Sequence, residues 1–252
     1  GASFTQIGTD GDGTADLDEA NVVSGNESDG VVIAGSGATD NTVAGNYIGT
    51  TKDGLSALPN DVNGIRLEEG ASDNTIGSDG DGTGDAAERN IISGNKQGGV
   101  FMTGSSTDDN TLAGNYIGSD WFGIDAVPNG RDGVRVESSA SENIIGTDAD
   151  GTADEAERNI ISGNDRHGVF ITGSATEDNV VAGNYIGMGA GETELPNKEN
   201  GVRIEDDASS NRIGTDGEGD HQEAEANTIA HNGTDLDESG HGVVVKSGTK
   251  NT

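Results

Sequence analysis

Apolar residues in this chain fall in short alternating runs that return at regular intervals. Segments of the form Gly-Val/Ile-x-hydrophobic stand at GVVI (30–33), GIRL (64–67), GVFM (99–102), GVRV (133–136), GVFI (168–171), GVRI (201–204) and GVVV (242–245). Residues two apart point to the same side of a pleated strand, so each run predicts a strand with two inward apolar positions. Two further phrases set the period. NVVSGN (21–26) returns as NIISGN at 90–95 and 159–164 and, loosely, as NTIAHN (227–232), with starts 69, 69 and 68 residues apart. AGNYIG stands at 44–49, 113–118 and 182–187, again 69 apart. Because seven closing segments occur, each 69-residue repeat holds two similar coils.

Each coil is predicted to carry three short strands. The first strands start at Thr5, Asn41, Asn74, Asn110, Asn143, Asn179 and Asn211, each with one inward residue: Ile7, Val43, Ile76, Leu112, Ile145, Val181 and Ile213. The second strands turn in Val23, Ile48, Ile92, Ile117, Ile161, Ile186 and Ile229, and the third turn in pairs such as Val134 and Val136. Helical periodicity is absent, and 43 glycines would penalise helices in any case. Asn21, Asn46, Asn90, Asn115, Asn159, Asn184 and Asn227 open every second strand. Stacked Asn side chains hydrogen-bond to one another up such a column, and Asn tolerates the tight corner.

These phrases resemble the right-handed parallel β-helix, or pectin-lyase-like, superfamily. They look most like the secreted bacterial and archaeal repeat proteins built from NxISGN…GVxIxG…GNYIG units. The resemblance spans essentially the whole chain and implies an all-β fold, a right-handed parallel β-helix of about seven three-strand coils. The expectation is a single domain over residues 1–252, either whole or a slice of a longer array. The chain opens at a first strand and closes on Asn251-Thr252, the opening letters of an eighth coil. Solenoids ordinarily carry caps, so uncapped ends predict end-to-end self-association or neighbouring repeats.

Composition changes the picture in one respect. A net charge of −33 with only 30% hydrophobic residues would flag disorder, and the repeat is what overrides that reading. The charge also excludes nucleic acid and anionic lipid as partners. No apolar run approaches the roughly 20 residues of a membrane helix. There is no cysteine, hence no disulfide and no thiolate metal site.

The acids are concentrated. Loops between first and second strands read TDGDGTADLDEA (9–20), SDGDGTGDAAER (78–89), TDADGTADEAER (147–158) and TDGEGDHQEAEA (215–226), holding 19 of the 46 acids. Calcium takes six to eight oxygen ligands from carboxylates and carbonyls on a loop that turns at glycine. Asp10, Asp12, Gly13, Asp16 and Glu19 match positions 3, 5, 6, 9 and 12 of an EF-hand-type loop. The same holds for Asp79, Asp81, Gly82, Asp85 and Glu88, and for Asp148, Asp150, Gly151, Asp154 and Glu157. Position 1 departs from the pattern as Gly8, Gly77 or Gly146, and flanking helices are not predicted. The fourth loop keeps Asp216, Glu218 and Glu225, with Gln222 at the third aspartate. Calcium is therefore the expected cofactor. The competing reading is halophilic surface acidity, which the acidic remainder of the chain supports but which does not predict a thrice-repeated D-x-D-G-T-x-D-x-x-E.

Outward positions of the third strands read Val32, Arg66, Phe101, Arg135, Phe170, Arg203 and Val244, with a Glu two residues after each Arg. Alternating Arg and Phe about 4.8 Å apart form either a ligand strip or a self-satisfied ladder, and cross-strand pairing alone accounts for the second. Arg66, Phe101, Arg135, Phe170 and Arg203, with Trp121 and Phe122 in a loop whose siblings lack aromatics, are the candidate ligand or partner contacts. His221, His231 and His241 match no metal motif and read as solvated. The resemblance also admits a carbohydrate-active enzyme, a lyase using an Arg base or a hydrolase with Gly-His-Gly (240–242). Three equivalent arginines and an incomplete hydrolase constellation argue against both, and no catalytic residue is assigned. The expected function is an extracellular or cell-surface structural, adhesive or filament-forming module with calcium in its loops, binding glycans or surface proteins. The alternative is a glycan-binding or carbohydrate-active protein.

Overall fold

A computed structural model of the chain describes residues 1–217, 221–234 and 240–247. Glu218, expected in the fourth acidic loop, and Asn251-Thr252 lie outside the described residues.

The chain winds as a parallel β-solenoid. Three sheets of seven parallel strands run along it, each coil giving one strand to each sheet. The 69-residue period is exact in register: Val134, Arg135, Val136 and Glu137 pair on one side with Val100, Phe101, Met102 and Thr103, and on the other with Val169, Phe170, Ile171 and Thr172. Burial follows the pleat, since strands such as Val134–Glu137 alternate buried and half-buried residues. The core is therefore four vertical rows, represented by Ile76, Leu112 and Ile145 from the first sheet, Ile92, Ile117 and Ile161 from the second, and Val100, Met102, Val134 and Val136 from the third. Ile7, Val23, Ile213 and Ile229, in the outermost coils, are only half covered. Stability comes from coil stacking on coil.

The expected asparagine column exists, and a second one stands beside it. At the corner before the first sheet, Asn41 Nδ2 donates to Asn74 Oδ1 at 2.9 Å, and the chain of bonds continues through Asn110, Asn143, Asn179 and Asn211. At the corner before the second sheet the column runs from Asn21 through Asn115 to Asn227. The second-sheet column leaves no room for a side chain on the glycine that closes the first strand: Gly77 has φ +100°, and a Cβ there would collide with the Ala113 carbonyl.

Like the ladder before the first sheet, two further columns were not anticipated. Asn26, Asn60, Asn95, Asn129, Asn164, Asn197 and Asn232 form a third ladder after the second sheet. Before the third sheet stands a mixed column of Asp29, Asn63, Gly98, Asp132, His167, Asn200 and His241. There Asn63 Nδ2 donates to Asp29 Oδ1, and the backbone N–H of Gly98 to Asn63 Oδ1. The N–H of His167, Asn200 and His241 each reach a side-chain acceptor one coil below. Single helical turns appear where no helix was expected, at Asp85–Glu88 and Gln222–Glu225. Both lie within acidic loops, where Ala and Glu favour one turn.

Candidate functional site

Each acidic loop is pinned at its start by a hydroxyl: Thr9, Ser78 and Thr147 Oγ accept the N–H of Gly11, Gly80 and Ala149. Its closing glutamate folds back to the beginning. Glu19, Glu88 and Glu157 Oε2 accept the N–H of Asp10, Asp79 and Asp148 at 3.1, 3.1 and 3.3 Å. The i, i+3 spacing of Asp85 and Glu88 puts both carboxylates on one side of their helical turn. The outcome is three equivalent triads, Asp10/Asp16/Glu19, Asp79/Asp85/Glu88 and Asp148/Asp154/Glu157, each with ligand atoms within 4.8 Å of one another. Asp12, Asp81 and Asp150 stay outside the triads. Their carboxylates accept the N–H of Thr14, Thr83 and Thr152, closing Asx turns.

Three convergent carboxylates are chemically suited to a hard cation. In the first loop Asp16 is 91% buried (9% exposed), and its Oδ1 has no hydrogen-bond partner. A buried carboxylate oxygen without a donor costs about 1–3 kcal/mol or more, and a cation is the partner that would relieve it. Burial, with Asp79 and Asp148 adding negative charge, pushes the Glu88 and Glu157 carboxyls up to about 7. Successive loops also touch. A Cβ on Gly11 would collide with Glu88 Oε1, and one on Gly80 with Glu157 Oε1. The fourth loop differs, for Glu225 Oε1 pairs with Arg212 NH1 at 2.6 Å while Oε2 accepts the Asp216 N–H at 3.3 Å. Arg212 supplies there a cation paired with the closing glutamate, whereas Glu19, Glu88 and Glu157 enter no ion pair among the described residues, and no triad forms at the fourth loop among them.

On the third sheet the arginine strip is largely satisfied within itself. Arg66 reaches Asp29 and Glu68 at 3.3 and 3.4 Å, Arg135 reaches Glu137 at 2.5 Å, and Arg203 reaches Glu205 at 2.6 Å. Phe170 is buried beneath Arg135 and Arg203, whose guanidinium carbons lie 4.9 and 5.9 Å from its ring centroid. Phe101, half-buried, is the more open of the two phenyl rings. Next to the strip lie the charged members of the unanticipated column. His167 is fully buried, and burial with Arg166, Arg203 and Arg135 nearby lowers its pKa to about 3, so it is neutral. Its Nδ1 accepts the Asn200 N–H, which places the proton on Nε2, 3.0 Å from Glu199 Oε2. Asp132 is also fully buried, and burial raises its pKa against the pull of Arg166 and Arg135. The column was hidden because four residue types share it, and only the Gly that follows each member marks the position.

Other candidates disperse. Trp121 is half-buried against Tyr47, ring centroids 5.6 Å apart, while neighbouring Phe122 is exposed. Tyr116 and Tyr185 lie under Arg89 and Arg158, whose guanidinium carbons stand 4.1 and 4.5 Å from the ring centroids. His221 Nδ1 stands 4.0 Å from Asp154 Oδ2 and His231 Nδ1 3.6 Å from Glu194, both exposed. Asn26 and Asn232 each open an Asn-x-Ser/Thr triplet, the glycosylation acceptor pattern, and their amide nitrogens are engaged, with Asn60 Oδ1 and with the carbonyls of Ile186 and Ala230.

Fold and site together define a parallel β-solenoid with recurrent acidic pockets able to hold a metal ion. Comparison with protein-family models, with curated proteins and with solved structures gives no match to this chain.

Proposed function

We propose that this chain is a non-catalytic structural solenoid of an extracellular or cell-surface assembly, stiffened by calcium held in its acidic loops. The observation that carries the reading is the triad built three times at equivalent positions, once with a buried aspartate oxygen that has no hydrogen-bond donor. Asp10, Asp16 and Glu19 would hold the first ion, Asp79, Asp85 and Glu88 the second, and Asp148, Asp154 and Glu157 the third. Calcium is favoured over softer metals because all the donors are oxygens. Bound there, the ion supplies charge neutralisation and cross-linking within the loop. It also removes the repulsion between loops that touch through Gly11 and Glu88. Filament formation, adhesion and glycan contact fit a rigid rod with repeated faces.

The test is thermal unfolding after EGTA treatment, with calcium titrated back at low and at molar NaCl. The expected result is a saturable rise in Tm at micromolar to millimolar calcium that matching magnesium or NaCl does not reproduce. Asp85→Asn with Glu88→Gln should remove one bound ion of three by calorimetry. A gain that NaCl reproduces in full refutes the proposal and leaves the loops as screened charge.

A further inference from the structure

The mixed column before the third sheet is interrupted once, and the interruption makes a cleft. Six coils place a side chain there, while the third has Gly98. Between Asn63 below and Asp132 above, the missing side chain leaves a notch of about 170 Å³. Phe101, Gln97, Arg131, Arg135 and Glu137 complete its walls. The φ of Gly98 is not in the left-handed region, so backbone conformation does not demand glycine. A Cβ would approach Asn63 Oδ1 to 3.1 Å and the Asp132 carbonyl to 3.3 Å, tight but accommodated by small shifts. The glycine therefore has a consequence for space and little for folding.

Two groups in the cleft lack the partners their neighbours have. Asp132 is fully buried, its Oδ1 accepts the His167 N–H, and its Oδ2 has no hydrogen-bond partner. The nearest cations to that oxygen, Arg135 and Arg166 NH1, stand off at 3.6 and 3.9 Å. At the rim Arg131 is exposed, and its guanidinium enters no ion pair or hydrogen bond among the described residues, although acids outnumber bases 46 to 13 in the chain. The floor thus needs a donor and the rim needs an acceptor. An ammonium group is disfavoured at the floor because Arg135 and Arg166 already face the same oxygen. A polyanion is disfavoured by the field of a −33 chain and by Glu137 in the wall. Hydroxyl groups both donate and accept, and an aliphatic ring face suits the Phe101 phenyl.

We propose that the Gly98 notch is a binding site for one small neutral polyhydroxylated ring, a hydroxyl donating to Asp132 Oδ2, another accepting from Arg131, and its C–H face on Phe101. The site lies on a different face from the acidic loops and stands whether or not those loops hold metal.

The experiment is an amide and arginine side-chain NMR titration of the full chain in calcium-containing buffer. The probes are myo-inositol and methyl α-glucopyranoside, with galacturonate and glycine betaine as charged comparators. Saturable shifts confined to residues 97–101 and 131–135 are expected with a neutral probe at millimolar concentration, and at least tenfold weaker response to the charged ones. Gly98→Asn, which restores the residue type of Asn63 and Asn200, should abolish the shifts while leaving Tm unchanged or raised. Arg131→Gln should weaken binding about tenfold without altering Tm. No saturable shift with either neutral probe overturns the proposal, as does equal response to galacturonate or binding that survives Gly98→Asn.

Discussion

Removing one asparagine from the middle of a ladder should cost as much as emptying a core position. Asn115 is fully buried at the corner before the second sheet. Its Oδ1 accepts the Asn90 N–H at 3.3 Å and Asn90 Nδ2 at 2.9 Å. Its Nδ2 serves three oxygens with two protons: Ile76 O and Ala113 O at 2.8 Å and Asn159 Oδ1 at 3.1 Å. Asn115→Ala leaves some of these partners provided for, since Ala113 O still accepts the Ser78 N–H and Asn90 Nδ2 still reaches Val43 O. The Asn90 N–H loses its acceptor, and Ile76 O loses a donor. At about 1–3 kcal/mol for each buried group left unpaired, with a small cavity added, the loss is about 3–5 kcal/mol. Asn115→Asp should be worse at neutral pH, because it sets a carboxylate oxygen against three acceptors. Urea unfolding in calcium-containing buffer measures both, with exposed Lys52→Ala as a control expected within about 0.5 kcal/mol of wild type. A loss below about 1 kcal/mol for Asn115→Ala would refute the idea that the ladders carry stability, and would make them passengers of the strand register.

Gly11→Ala adds a Cβ at φ +71° against Glu88 Oε1 and should cost about 2 kcal/mol while weakening any cation binding at the Asp79/Asp85/Glu88 triad; Gly13→Ala, with open space around it, should cost only about 1 kcal/mol and spare that triad. Calorimetry and urea unfolding of the two variants separate the collision from the backbone term. In the metal-free chain, Glu88 and Glu157 retain protons up to about pH 7 that the unfolded chain releases near 4.5, so their contribution to stability is lost as pH rises through that window. Subtracting the Glu88→Gln/Glu157→Gln variant from wild type should expose a fall of roughly 1–3 kcal/mol per group between those limits, and calcium should abolish it. His167 has the opposite sign: held neutral down to about pH 3, it contributes stability that is present above pH 6.5 and lost as pH drops toward 3. His167→Asn, which matches Asn63 and Asn200 in its column, should fold and should remove about 3–5 kcal/mol of that acid loss. Equal acid curves for the two proteins would show that the imidazole is not held neutral by its surroundings.

The coil architecture was legible because each inward residue sits at a fixed place in a 69-residue phrase, and a solenoid repeats its packing with its sequence. The asparagine ladder before the second sheet was visible for the same reason. The third was not, since its members come alternately from Ser-Gly-Asn (Asn95, Asn164) and from Pro-Asn (Asn60, Asn129, Asn197), two phrases with different neighbours. The fourth column hid behind changing chemistry, Asp29, Asn63, Gly98, Asp132 and His167 having only their position in common. In the acidic loops, spacing picked out the three carboxylates that converge, the first and third aspartates and the closing glutamate. It also picked out Asp12 and its equivalents, which lie outside the triads, because spacing counts residues along a loop and does not register that a carboxylate two residues before a free N–H turns back to cap it.

The ladders also give the rod an electrical direction. In all three, each Nδ2 donates toward the following coil and each Oδ1 accepts from the preceding one, so the side-chain amide dipoles align along the axis. Aligned hydrogen bonds polarise one another, as in a helix. Any plane cut across this solenoid therefore presents amide donors on one face and amide acceptors on the other. Two such faces can complete the ladders when brought together head to tail, whereas head to head they would set donor against donor. Polarity of assembly is thus written into side chains that never reach the lateral surface.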